Sequence, residues 1–170
     1  MKILFVCTGN SCRSPMAEAL YLKAASQAGR HDETISRGTS IGEKNLEPIG
    51  ATWPSSQVMM QYYGIDISQH VPKGISADDI SWADLILTMT KHHANELRRT
   101  FGDQPGSRFN DKVHTYGNYI GLPGSNIEDP IGQGYNEYLK CAKQLESWAK
   151  LLVVKLNALD AKTRNGGQGL

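Results

Sequence analysis

Lys2-Ile3-Leu4-Phe5-Val6-Cys7-Thr8-Gly9-Asn10-Ser11-Cys12-Arg13-Ser14-Pro15-Met16 is a stretch in which an apolar run gives way, within one tight loop, to the start of a helix. Lys2 to Val6 have the bulky, partly β-branched character of a strand. After the loop the spacing changes: Met16, Leu20, Ala24 and Ala28 recur at every fourth position, marking one face of a helix that Gly29 ends. Pro15 suits a first helical turn, where the N–H it lacks would have no intrahelical partner, and Ser14 before it is placed to cap. The stretch predicts strand, loop and helix in that order.

The same alternation continues outward. Thr34-Ile35-Ser36 reads as a second strand leading to Arg37-Gly38, and Ser40 to Pro54 as a long loop. Residues 55–63 are expected to be helical up to Gly64, with another short helix starting over Ser76 to Ile80. Ala83-Asp84-Leu85-Ile86-Leu87-Thr88 has the continuous apolar character of a buried third strand, followed by a helix over 91–101 that Gly102 ends. Lys112 to Tyr116 suggests a fourth strand. Leu139, Ala142, Leu145, Ala149, Leu152 and Leu156 form the apolar stripe of a long final helix. Strands alternating with helices predict an α/β fold: a four-stranded parallel sheet with helices on both sides, a three-layer sandwich. Ligands bind such sheets at the carboxyl ends of the strands, which is where Cys7 to Ser14 falls.

With 170 residues the chain matches one domain, expected over 1–158, followed by a flexible tail over 159–170 that has little to pack. A hydrophobic share of 39% beside 21% charged residues is that of a soluble globular protein, and no apolar run is long enough to span a membrane. The opening run is too short for a signal peptide. Cys7, Cys12 and Cys141 fit neither a disulfide framework nor zinc-ligand spacing, so reduced thiols and a cytoplasmic location are expected. A formal charge of +1 gives no field that would favour nucleic acid or anionic lipid as the partner. His92 and His93 are adjacent on a helix and cannot share one metal-binding face.

Anion binding must therefore be local, and the opening loop supplies it. Between strand and helix, the backbone N–H groups of Thr8, Gly9, Asn10, Ser11 and Cys12 can converge on a phosphate at the positive end of the helix dipole. Cys7 lies at the entrance, where those donors, the helix terminus and a guanidinium stabilise a thiolate nucleophile. Arg13 offers a planar fork matched to two phosphoryl oxygens. The Ser14 hydroxyl can donate to the sulfur and ease its departure from a phosphocysteine. A strand-end cysteine alone is ordinarily a small buried hydrophobe; cysteine, five residues, arginine and Ser-Pro together are far more specific.

On these residues the sequence resembles the low-molecular-weight protein-tyrosine phosphatase family, whose strand and loop match Val6 to Pro15 almost letter for letter; the resemblance spans about residues 1–157. It implies a metal-independent, cofactor-free protein phosphatase acting on phosphorylated protein, with neither nucleic acid nor a membrane as partner, and it sets no oligomeric state. The family's leaving-group acid is an Asp-Pro pair far along the chain, which Asp129-Pro130 matches. The resemblance further implies that Asn10 holds the loop in a left-handed turn, that His70, in Ile67-Ser68-Gln69-His70, anchors it, and that Cys12 can form a reversible disulfide with Cys7. A packed thiol is the alternative for Cys12, and Cys141 is assigned to the core.

Phosphotyrosine members commonly carry isoleucine before the second cysteine, and a bacterial phosphoarginine branch carries threonine; Ser11 keeps the hydroxyl and loses the methyl. Ile131 and Gly132 stand where tyrosine-directed members tend to place two aromatics. Phosphoarginine is therefore the favoured substrate and phosphotyrosine the alternative, with Trp53 and Tyr62 as possible wall residues. Arsenate reduction would need two more redox cysteines, and between Arg13 and Lys140 there is none. A non-catalytic phosphate-binding module would be expected to lack Cys7 or Asp129, and both are present.

Overall fold

The computed structural model describes residues 1–41, 53–102 and 108–166. Most of the expected loop from Ser40 to Pro54, and residues 167–170 of the expected tail, lie outside them. Strand β1 (Lys2–Cys7) leads into helix α1 (Arg13–Gln27), strand β2 (Glu33–Gly38) and helix α2 (Trp53–Val58), which continues as a π-helical segment over Met59–Tyr63. Helix α3 (Ala77–Trp82), strand β3 (Leu85–Thr88), helix α4 (Lys91–Phe101), helix α5 (Phe109–Lys112), strand β4 (Val113–Thr115), helix α6 (Tyr116–Tyr119) and helix α7 (Tyr135–Gly166) follow. Among the described residues the strands form one parallel sheet in the order β2-β1-β3-β4.

Side-chain alternation on β1 shows how the layers are set. Ile3 and Phe5, with Leu85 and Leu87, face a core built with Met16, Leu20 and Tyr21 of α1 and Leu145, Ala149 and Leu152 of α7. Leu4 and Val6, with Ile86 and Val113, face the opposite core of Ile80, Ala94, Leu97 and Phe109. Burial on both faces is the condition for a parallel sheet between two helical layers, so the expected three-layer sandwich is the architecture found. No helix among the described residues is long and apolar enough to cross a membrane.

Two expectations are corrected. Ser14 does not cap α1: the N-cap is Cys12, which makes no side-chain cap bond, because the Ser14 hydroxyl is engaged inside the loop instead. The boundary expected at 158 does not mark the end of regular structure either, since α7 continues through residues 159–166. Arg30 holds that extension, its Nη1 donating to Asp160 Oδ2 at 2.7 Å and Asn157 Oδ1 at 2.8 Å.

Arg30 also donates to Asp32, which accepts from Tyr21 and pairs with the N-terminal ammonium at 3.2 Å. Burial pushes the Asp32 carboxyl up, but its bonds to Arg30, Tyr21 and the N-terminus outweigh this and hold it at about 2. The cluster ties the end of α1, the start of β2 and the far end of α7 together on the side of the sheet opposite the loop.

Candidate active site

The strand order places the crevice. From β1 the chain crosses to β2 on one side and returns to β3 on the other, so the loops after β1 and β3 diverge at the carboxyl end of the sheet. The loop from Cys7 to Ser14 fills that gap. It approaches β2 closely: Thr39 N–H donates to Cys7 O at 2.9 Å and Ser40 N–H to Thr8 O at 3.1 Å. Gly38 makes this approach possible, because a Cβ there would lie 2.5 Å from Thr8 O and 3.1 Å from Asn10 N.

Asn10 is fully buried at φ 50°, in the left-handed region that the resemblance implied. Its side chain supports that conformation from both ends. Oδ1 accepts from Lys73 N–H at 2.8 Å, and Nδ2 donates to Ser14 Oγ at 2.9 Å. His70 Nε2 lies 2.8 Å from Asn10 O; both that oxygen and Oδ1, at 3.2 Å, are acceptors, so Nε2 carries the proton. Since Ser14 Oγ accepts from Asn10, its one proton is left for Cys7 Sγ at 3.0 Å or the more distant Arg37 O at 3.4 Å, and the sulfur is the closer acceptor. A directional chain thus ends on the sulfur.

Arg13 is 4% exposed, and its guanidinium crosses to the loop after β4 and α6. Nη1 donates to Ile127 O at 3.2 Å, while Nη2 pairs with Asp129 Oδ2 at 2.5 Å and donates to Thr8 Oγ1 at 3.4 Å. Asp129, 116 residues from Arg13 in sequence, is therefore joined to the loop through it. Ile131 N–H, at 3.2 Å, and the Gln133 side chain, at 3.0 Å, bond back to Asp129 and shape its turn. Ser55 Oγ on α2 backs the loop through Ser11 O at 3.3 Å. The Ser11 hydroxyl itself makes no hydrogen bond among the described residues.

All three cysteines are free thiols. Burial above all pushes Cys12 far up, and likewise raises Cys141 to about 12, so neither is a ready thiolate. Cys141 packs in the core as expected, though it also borders a cleft of about 220 Å³ beside Asp129, Pro130 and Gln133. Among the described residues no three His, Cys, Asp or Glu side chains gather to hold a metal.

Sequence reasoning missed His93. The ring is 2% exposed, with Nε2 at 2.8 Å from Thr8 Oγ1 and Nδ1 at 3.0 Å from Thr90 Oγ1. Its place one turn past the end of β3, beside the crevice, is the signal that would have found it. Neighbouring His92 is exposed and pairs with Glu96 at 3.7 Å.

Burial, and for His93 also the Arg13 charge, lowers both loop histidines, His93 to about 4. An unfolded histidine binds its proton near pH 6.5, whereas folded His93 does so only near 4, so the unfolded chain holds more protons between those values. Stability is therefore expected to fall as pH drops from about 6.5 to 4, and to fall again toward pH 2 as Asp32 is protonated. A melting temperature flat from pH 7 to 4 would contradict this.

A thiol fed a hydrogen bond by a serine, beside an arginine already joined to an aspartate, defines a site of cysteine-dependent phosphate chemistry. The profile described as low molecular weight phosphotyrosine protein phosphatase matches residues 2–165, and the chain belongs to that family. The chain is 32% identical to a protein-arginine-phosphatase of Bacillus subtilis over 156 residues, covering 92% of this chain and 97% of that protein. Over 147 residues it is 35% identical to the low molecular weight protein-tyrosine-phosphatase PtpB of Staphylococcus haemolyticus, covering 85% and 92%. A solved structure of YwlE arginine phosphatase, a cysteine-to-serine mutant with a phosphorylated active-site serine, superposes with a TM-score of 0.80 at 31% identity, covering 92% of this chain and 96% of that one.

Proposed function

We propose that this enzyme dephosphorylates protein arginine side chains through a phosphocysteine on Cys7. The observation that carries the phosphatase chemistry is the pair of hydrogen-bond systems converging on one loop: Asn10 and Ser14 on the Cys7 sulfur, Asp129 and Thr8 on the Arg13 fork. In the first step the Cys7 thiolate attacks phosphorus in line, the P–N bond breaks, and Asp129 gives its proton to the departing guanidino nitrogen. Backbone N–H groups of Thr8 to Cys12 and the Arg13 fork carry the equatorial oxygens. In the second step the Asp129 carboxylate takes a proton from water, the water oxygen attacks phosphorus, and the S–P bond breaks. Ser14 then donates to the returning thiolate, and orthophosphate leaves. His70 and Asn10 act by holding the loop's shape.

Two features favour phosphoarginine. The Ser11 hydroxyl, without a hydrogen bond among the described residues, can accept from a substrate guanidinium, a contact isoleucine cannot offer, and Ile131 after Asp129-Pro130 is 59% exposed where an aromatic wall would stand. The protein-arginine-phosphatase among the relatives points the same way. Phosphotyrosine is the second reading, supported by Trp53, 72% exposed at the start of the helix that backs Ser11. Free thiols support a cytoplasmic setting, with phosphorylated protein as the partner.

Turnover of matched phosphoarginine and phosphotyrosine peptides tests the choice. We expect kcat/KM for phosphoarginine to exceed that for phosphotyrosine by about tenfold or more, and Ser11→Ile to narrow or reverse the ratio. A ratio favouring phosphotyrosine in the unaltered protein would select the second reading.

A further inference from the structure

The mechanism uses Arg13 but leaves unexplained what aims it. Its Nη2 has two partners, Asp129 and Thr8, and the first is the residue whose charge changes during turnover. When Asp129 exchanges protons with leaving group and water, Thr8 Oγ1 is the partner of constant charge. A hydroxyl has one proton to place, so the direction of the Thr8 O–H decides whether Arg13 meets a lone pair or a hydrogen. Behind Thr8 lies the His93 ring, buried and held at both nitrogens.

Both hydroxyls that flank the ring, Thr8 Oγ1 and Thr90 Oγ1, can donate or accept, so the ring has two neutral tautomers to choose between. Arg13 can only donate, so Thr8 Oγ1 accepts from it; in one of the two neutral tautomers His93 Nε2 is bare and accepts the Thr8 proton. His93 Nδ1 then carries the hydrogen and donates to Thr90 Oγ1, which also receives the His93 backbone N–H at 3.5 Å. Resting on the phosphatase reading above, we propose that His93 is a positioning residue: as the neutral Nδ1–H imidazole it draws the Thr8 hydroxyl proton away, turns a Thr8 lone pair toward Arg13 Nη2, and so fixes the fork that receives the phosphoryl oxygens. With the proton on Nε2 instead, Thr8 Oγ1 would accept from both His93 and Arg13 and its own proton would turn elsewhere, leaving the lone pair that faces Arg13 unselected. Burial and the nearby Arg13 charge both oppose the doubly protonated ring, so the ring is neutral.

Side-chain reach supplies the test. A glutamine amide at position 93 can present an oxygen where Nε2 lies, whereas an asparagine amide reaches only as far as Nδ1, keeping Thr90 and abandoning Thr8. We expect His93→Asn and Thr8→Val each to weaken inhibition by inorganic orthophosphate and lower kcat/KM for an aryl phosphate by about tenfold. The double variant should lose no more than either single one, and His93→Gln should stay within about threefold of the parent. Independently, ring-nitrogen NMR of the unaltered protein should show His93 protonated at Nδ1 and bare at Nε2. Additive losses, unchanged orthophosphate inhibition in folded His93→Asn, or a proton on Nε2 would each overturn the proposal. Failure of the unaltered protein to release phosphate from any ester would instead overturn the phosphatase reading, which the tautomer measurement does not touch.

Discussion

Serine in place of Cys7 is expected to lower kcat by roughly four orders of magnitude or more, the scale of loss when a nucleophile is removed from a group of residues that act as a unit. The reason is ionisation. At neutral pH a serine hydroxyl keeps its proton, and among the described residues no side chain beside Cys7 is disposed to take it: Ser14 donates to the sulfur rather than accepting from it, and Asp129 is held by Arg13. Binding should survive, because the amides from Thr8 to Cys12 and the Arg13 fork do not depend on the sulfur. The expected signature is thus a collapsed kcat with inhibition by orthophosphate retained. Turnover within tenfold of the parent would place the nucleophile elsewhere.

The second large effect is at Asp129. Asp129→Ala should cost about 10² to 10⁴ in kcat for a substrate with a basic leaving group, the usual worth of general acid catalysis. The loss should shrink when the leaving group is a nitrophenolate, which departs without a proton. With such a substrate only the second step still needs Asp129, now as base, so the rate-limiting step moves to hydrolysis of the phosphoenzyme. Because the variant also removes the 2.5 Å partner of Arg13 Nη2, KM for phosphate esters should change far less than kcat or fall. A loss equal for good and poor leaving groups would deny Asp129 the acid's role.

What the sequence disclosed depended on how local the governing interactions are. The strand at Lys2–Cys7, the cradle and the helix at Lys91–Phe101 were legible because periodicity, β-branching and a stopping glycine act within a few residues. The left-handed Asn10 and the place of Asp129 in the site were reachable only through the family resemblance, since His70 and Lys73, which hold Asn10, lie 60 and 63 residues from it and Asp129 lies 116 from Arg13. The one-turn helices Phe109–Lys112 and Tyr116–Tyr119 are too short to express a period. Helix α7 outruns its apolar stripe because Arg30 and Asp160, 130 residues apart, meet on its last turns. His93 was illegible for a related reason: it has the chemistry of its neighbour His92, and only the phase of the helix sends one ring to solvent and the other against Thr8.

The most direct examination of the chemistry is rapid-quench mixing of the Asp129→Ala variant with a nitrophenyl phosphate, followed by locating the retained phosphate along the chain. The account predicts a burst of nitrophenol approaching one per enzyme and a phosphate bonded to sulfur on the peptide that contains Cys7. Steady release without a burst, or phosphate found on any other residue, would contradict it.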